Sequence, residues 1–259
     1  MSEIGKDSEG PGSIGIRPAA FSTSYGNRDA MTMCLFDIDG TLVHAGGAGK
    51  AAMEAALGDI FGVTRPTEGI STAGRTDLSI IEDLVSYHGE VCDPETWTQL
   101  QEAYLRRLPE HLQQGDGEAI EGIAELLPVL ADRNDVTLGL LTGNLVAGAR
   151  TKLAHFGLDH FFEQAGELWG GFGDLDRCRD DVARRVREQV RQERGSWDPA
   201  AVWVIGDTPL DVQCARAIGV RVLAVSTGIF SADQLIACEP DVHLETLEAT
   251  DRVAKILTE

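Results

Sequence analysis

No stretch of this 259-residue chain approaches the roughly 18–20 consecutive apolar residues that a membrane span needs. Residues 1–30 also lack the basic start and apolar middle of a secretory signal. The five cysteines (Cys34, Cys92, Cys178, Cys214, Cys238) form no CxxC pair, and their odd number argues against a disulfide framework. Reduced, mostly buried thiols in a cytoplasmic protein are expected instead. Positive charge is short as well: 22 Lys+Arg stand against 42 Asp+Glu, a formal net charge of −20. Such a field repels polyanions, so neither nucleic acid nor an anionic membrane is an expected partner. There is no internal repeat. What remains is ordinary globular material, 43% hydrophobic and 25% charged, enough for a sizeable core. An anionic substrate would have to be drawn by a local patch working against the mean field.

Residues 1–30 are rich in Gly, Ser and Pro (GPGSIGIRPAA) and are expected to be a disordered extension. Met31 or Met33, just ahead of the first apolar run, is an alternative start. Beyond them, apolar runs alternate with helical patterns. MCLFDI (33–38), VTLGLL (136–141), AVWVI (201–205), VRVLAV (220–225) and the weaker DVHLE (241–245) read as strands, with a further short strand near Phe161–Gln164. Their continuous apolar character suits strands covered on both faces of a parallel sheet. Helices are expected at 146–157, 177–194, 209–219, 232–237 and 250–257. This alternation predicts an α/β fold, a Rossmann-like doubly wound parallel sheet.

The segment 46–120 breaks the alternation. Met53, Leu57, Ile60 and Phe61 form one helical stripe, and Ile80, Ile81, Leu84 and Val85 form a second behind an N-cap at Thr76 or Asp77. Asp93-Pro94 opens a third helix carrying Trp97, Leu100, Tyr104, Leu108 and Leu112. A run of helices after the first strand reads as an inserted helical domain, with the core formed by 31–45 and 121–259. Trp97 and Tyr104 are expected in its interior.

The first strand ends in Asp37-Ile38-Asp39-Gly40, which places two carboxylates on one side of an extended segment before a tight turn. Alone, this pair fits a structural Asx turn as well as a functional site. A second acidic strand end decides between them: AVWVI runs into Gly206-Asp207-Thr208-Pro209-Leu210-Asp211. Asp37, Asp39, Asp207 and Asp211 make a hard-oxygen cluster suited to Mg²⁺, placed where open α/β sheets bind ligands. Strand VTLGLL ends in Thr142-Gly143-Asn144, a hydroxyl and backbone N–H groups at a helix N-terminus, which is an anion site.

These segments resemble the haloacid dehalogenase (HAD) superfamily, in its phosphoglycolate-phosphatase-like subgroup. The motifs are DIDGTLV (37–43), LLTGN (140–144) and VIGDTPLDVQCARAIGVRVLAVSTG (204–228), and the resemblance covers roughly 33–258. It implies that Asp37 is a nucleophile forming an aspartyl-phosphate and that Asp39 is the acid/base. It also implies that Thr142, Gly143 and Asn144 hold the phosphoryl oxygens. Mg²⁺ would be bound by the Asp37 side chain, the Asp39 carbonyl and Asp207, with Asp211 orienting the site. The family's usual Lys before the last motif is missing from Asp176-Arg177-Cys178-Arg179-Asp180-Asp181. Arg177, four residues before Asp181, is expected in its place, with Arg179 in reserve. The seven Arg of 177–194 otherwise read as a solvated helix face. The insert resembles the superfamily's helical cap. Its loop Ala73-Gly74-Arg75-Thr76-Asp77 would close over the core, with Arg75, Thr76 and His44 facing the rest of the substrate. The expected protein is a Mg²⁺-dependent phosphatase of a small anionic phosphate monoester, monomeric or dimeric. A sugar-phosphate mutase and a HAD-fold binding or regulatory protein are the alternatives.

Overall fold

The computed structural model describes residues 31–259, so the disordered extension expected over 1–30 lies outside the described residues. The elements, in chain order, begin with β1 (Thr32–Phe36), β2 (Val43–His44), α1 (Ala48–Phe61), α2 (Asp77–Tyr87), α3 (Pro94–Gln114) and β3 (Glu118–Ala119). Next come α4 (Ile123–Ala131), β4 (Val136–Leu141), α5 (Val146–His155), β5 (Glu163–Gln164), β6 (Glu167–Leu168) and β7 (Gly170–Gly171). The remainder is α6 (Arg179–Arg194), β8 (Val202–Gly206), α7 (Pro209–Ile218), β9 (Arg221–Val225), α8 (Ala232–Ile236), β10 (Val242–Leu244) and α9 (Thr250–Thr258).

The main sheet has the order β10-β9-β8-β1-β4-β7, and every neighbouring pair is parallel. Parallel strands need crossovers that cover both faces, and alternate residues of β1 show the result. Cys34 and Phe36 pack with Leu126, Leu130, Leu153 and Leu257 of α4, α5 and α9. Met33 and Leu35 pack on the other face with Val182, Val186, Val212 and Ala215 of α6 and α7. From β1 the chain proceeds to β4 on one side, and later β8 and β9 build outward on the other. The crevice at the C-terminal end of β1 is therefore the switch point where such sheets bind ligands.

One strand differs from expectation. The edge strand is Gly170–Gly171, hydrogen-bonded to β4, whereas Glu163–Gln164 pairs with Glu167–Leu168 in a separate hairpin. Phe162 is buried from a short 3-10 turn, its ring edge-on to Phe36 with centroids 6.0 Å apart. Its apolar signal is one of core packing, and two glycines carry no strand propensity to betray an edge strand.

Helices α1, α2 and α3 share their own apolar cluster, built on Met53, Leu57, Ile81, Leu84, Leu100 and Tyr104, with Leu145 of the core packed into it. Thr76 caps α2 by accepting from the Ser79 N–H, and Asp93 caps α3 ahead of Pro94. Tyr104 is fully buried and Trp97 partly so, both within this insert. The two chain crossings into the insert, β2 and β3, pair antiparallel as a short ribbon. This connection seats the helices above the C-terminal strand ends.

Candidate active site

Asp37 follows β1 directly, and its backbone N–H donates to Ile205 O of β8 at 2.9 Å, so its placement is fixed by the sheet. The chain then turns sharply at Gly40, whose φ is +87°. A side chain there would be strained and would also collide with the Asp207 carboxylate. Asp207 leaves the end of β8 and accepts from the Thr41 hydroxyl at 3.0 Å. Asp211 sits in the first turn of α7 in a capping box, its Oδ2 accepting from the Thr208 N–H and hydroxyl at 3.0 and 2.7 Å. Carboxylate oxygens of Asp37, Asp207 and Asp211 lie within 4.8 Å of one another, all buried.

Three buried carboxylates at that spacing repel. Burial is the main reason that the Asp37 carboxyl is pushed up to about 7, with Asp211 and Asp39 adding to it and Arg179 opposing. Burial, then Asp211 and Asp37, holds Asp207 well above the carboxylate range. A compact set of hard oxygens held at such cost fits a divalent oxygen-seeking cation. Asp211 fits it least directly, because Oδ2 is spent on Thr208 and Oδ1 accepts from Arg179.

Arg179 is the cation at the centre. Its Nη1 donates to Asp37 Oδ1 at 3.2 Å, and its Nη2 donates to Leu141 O at 2.7 Å and to Asp211. Its side chain is only 3% exposed. Arg177, expected in this position, is elsewhere: its side chain is 72% exposed and forks onto Glu82 of α2. The difference has a helical cause. The N-cap of α6 is Cys178, so Arg179 is the first helical residue and lies on the buried stripe with Val182, Ala183, Val186 and Val190. Arg177 precedes the cap and belongs to the loop.

Asp39 shares the cavity but not the acidic cluster. Its Oδ2 accepts from Asn144 Nδ2 at 2.9 Å and from Lys152 Nζ at 2.5 Å. Asn144 also donates to Thr142 Oγ1 at 2.8 Å, while its Oδ1 accepts from Lys152 at 2.6 Å. Lys152 is not among the residues expected at the site from the sequence. It falls on the buried face of α5 with Gly148, Ala149 and Leu153, and a charged residue inside an apolar helical stripe was the available signal.

The anion site expected at the start of α5 is partly filled by protein groups. Leu145 N–H donates to Asp77 Oδ2 and Val146 N–H to Asp174 Oδ2, both at 2.9 Å. Asp77 comes from the insert, and its own N–H donates to Gly143 O at 2.7 Å. Burial pushes the Asp77 carboxyl up to about 6 against the pull of Lys152. At Gly143 the insert approaches so closely that a Cβ would overlap the Arg75 carbonyl.

Of the insert residues expected to face a substrate, Thr76 is fully buried as the α2 cap. Arg75 lines the cavity, but its guanidinium is held by Asp83 Oδ2 at 2.7 Å and by the Ser79 and Ser71 carbonyls. It braces the loop. His44 is exposed at the cavity wall. The cavity measures about 420 Å³ and brings Asp37, Asp39, Thr142, Arg179 and Asp207 together with Lys50 and Met53 of the insert. Among the described residues no helix is long and apolar enough to cross a membrane.

Comparison with known proteins gives a family described as haloacid dehalogenase-like hydrolase, matched over residues 34–216. A phosphoglycolate phosphatase of Synechococcus elongatus is 34% identical over 125 residues, 48% of this chain. That match spans only 54% of the relative's length. A protein of Dickeya dadantii named Probable phosphatase IndB is 28% identical over 223 residues, covering 83% of this chain and 89% of the relative. The crystal structure of CbbY from Rhodobacter sphaeroides, in complex with phosphate, superposes with a TM-score of 0.62 at 18% identity. It covers 84% of this chain and 95% of that one, a likeness of fold.

Proposed function

Because this chain belongs to the haloacid dehalogenase-like hydrolase family, we propose that it is a Mg²⁺-dependent phosphatase of a small phosphate monoester. What carries this reading is the meeting of Asp37, Asp39, Arg179 and Asp207 in one cavity at the switch point of the sheet. The relatives named as phosphatases support it.

In the proposed reaction an Asp37 oxygen attacks phosphorus and the bond to the leaving oxygen breaks, giving an aspartyl-phosphate. Asp39 gives its proton to that leaving oxygen. It then takes a proton from the water that attacks phosphorus, restoring Asp37 and releasing phosphate. Arg179 neutralises part of the charge gathered at Asp37 and, through Asp211, is held in a fixed orientation. The Gly143 N–H and the Thr142 hydroxyl meet the phosphoryl oxygens, since the Thr142 N–H donates to Gly171 O at 3.0 Å and the Asn144 N–H to Thr142 Oγ1 at 3.3 Å. Asp37, the Asp39 carbonyl and Asp207 would hold Mg²⁺, whose charge offsets that of the phosphoryl group. Asp211 acts on Arg179 rather than as a ligand.

The insert, residues 46–120, serves as a mobile cap that excludes water when docked as it is here. A cavity of about 420 Å³ suits a substrate of metabolite size. Five free cysteines suit a reducing cytoplasm.

The test is release of phosphate from a generic aryl phosphate, with and without Mg²⁺, beside Asp37→Asn. Metal-dependent release by the wild type and none by the variant are expected. Release that persists in Asp37→Asn removes the nucleophile assignment. Scoring isomerised product as well as free phosphate on a metabolite panel separates hydrolysis from mutase transfer.

A further inference from the structure

A lysine ammonium is costly to bury unless it is paired and hydrogen-bonded, so a buried lysine inside a helix stripe calls for a reason. The Lys152 side chain is 4% exposed. Its stem lies on the face of α5 that otherwise carries Gly148, Ala149 and Leu153, and its ammonium reaches past the helix to Asp39 Oδ2 and Asn144 Oδ1. Both partners stand at C-terminal ends of the sheet strands, Asp39 after β1 and Asn144 after β4.

The helical insert covers the same ammonium. A Cβ at Gly49 of α1 would lie 3.4 Å from Nζ. Asp77 of α2, tied to the start of α5 through Leu145 N–H, attracts Lys152 electrostatically. The side chain of Asp39 is nevertheless 44% exposed, toward the cavity it lines. One of its oxygens is therefore anchored twice, by Lys152 and Asn144, while the carboxyl as a whole stays open to a substrate.

We propose that Lys152 is the positioning residue for Asp39, fixing Oδ2 so that the other oxygen is presented to the leaving group. The assignment rests on the phosphatase reading, in which Asp39 exchanges protons with leaving oxygen and water. Lys152 touches no reacting atom in it. Without the ammonium, Asn144 alone holds Oδ2, and Asp39 is free to rotate away. The docked insert shields the Lys152 side of the pairing, which is 4% exposed, and this strengthens it.

The experiment uses the full chain with Mg²⁺ and compares Lys152→Met in two backgrounds and on two substrates. In the wild-type background, turnover of an alkyl phosphate should fall on the order of 10²-fold, the usual contribution of an acid/base group. With p-nitrophenyl phosphate, whose leaving group needs little proton donation, the first burst of nitrophenolate should survive while steady turnover falls. In an Asp39→Asn background, Lys152→Met should cost nothing further, because a residue that acts through Asp39 has nothing left to position. Equal losses in both backgrounds, or a rise in KM alone, would overturn the assignment. Should Lys152→Met fail to fold, Lys152→Met with Asp77→Asn removes the opposing charge and is read in the same way. Wild-type protein without phosphate release would sink the phosphatase reading and this one with it, whereas additive losses in an active enzyme sink only this one.

Discussion

Arg179 Nη1 stands 3.2 Å from Asp37 Oδ1, and both side chains are almost wholly withdrawn from solvent. The same guanidinium also engages Asp211, so one cation balances two buried carboxylates. Arg179→Met leaves both unpaired and is expected to cost about 3–5 kcal/mol of stability, measured by urea unfolding. Arg179→Lys keeps the charge but not the fork, and should retain stability better than activity. Arg177→Ala removes only an exposed pair with Glu82, so a stability loss under about 1 kcal/mol is expected. Loss of turnover in Arg177→Ala but not in Arg179→Met would overturn the role given to Arg179 beside Asp37.

The acidic cluster predicts a pH-dependent response to metal. Burial raises the Asp37 carboxyl to about 7 and Asp207 well above its ordinary range. A carboxyl raised on folding favours the folded state while it is protonated, and that contribution is lost as pH rises through the folded value. A cation competes with those protons and replaces them once they leave. The increase in melting temperature produced by millimolar Mg²⁺ should therefore be larger at pH 8 than at pH 6. Asp207→Asn should remove most of it. An increase that is equal at both pH values would show that the cation binds elsewhere.

The acidic strand ends were legible because each of Asp37 and Asp207 interrupts a continuous apolar strand at the point where it must turn. The parallel sheet was implied by the alternation of strands and helices, and the three insert helices by their stripes and caps. Arg179 and Lys152 were harder to read for one shared reason. Each is a long cation that occupies an apolar stripe of its helix, and periodicity assigns charge to the solvent face. Spacing along the chain favours Arg177 but takes no account of the α6 cap at Cys178, which rotates Arg179 inward. Gly170–Gly171 escaped because its edge-strand role depends on close approach to β4, which no propensity records.

Asp77 joins the insert to the core, and its titration should be visible in stability. Burial raises its carboxyl from 3.8 to about 6. Its contribution is present below about pH 4 and is lost as pH rises through 6, by up to about 3 kcal/mol if the whole shift is realised. Asp77→Asn keeps an oxygen for Leu145 N–H and cannot ionise. The stability of wild type minus variant should fall between pH 4 and 6 and level off above. A flat difference across that range would mean that Asp77 is solvated, with the insert undocked.

Gly143 tests the docking from the core side. A Cβ there would overlap the Arg75 carbonyl, and the same residue accepts Asp77 N–H through its own carbonyl. The contact is backbone on backbone, so no side-chain rotation relieves it, and Gly143→Ala must push the loop 75–77 off the strand end. The sheet beneath is untouched, because Gly143 follows β4 rather than lying within it. The variant should therefore keep the wild-type circular dichroism spectrum and most of its unfolding free energy. Its phosphatase turnover should fall at least tenfold, since an insert held away cannot exclude water or cover Lys152. Protease cleavage within 64–76, the segment between α1 and α2, should become faster in the variant and should no longer be slowed by a phosphate mimic with Mg²⁺. Wild-type cleavage rates in Gly143→Ala would show that the insert finds another way to dock.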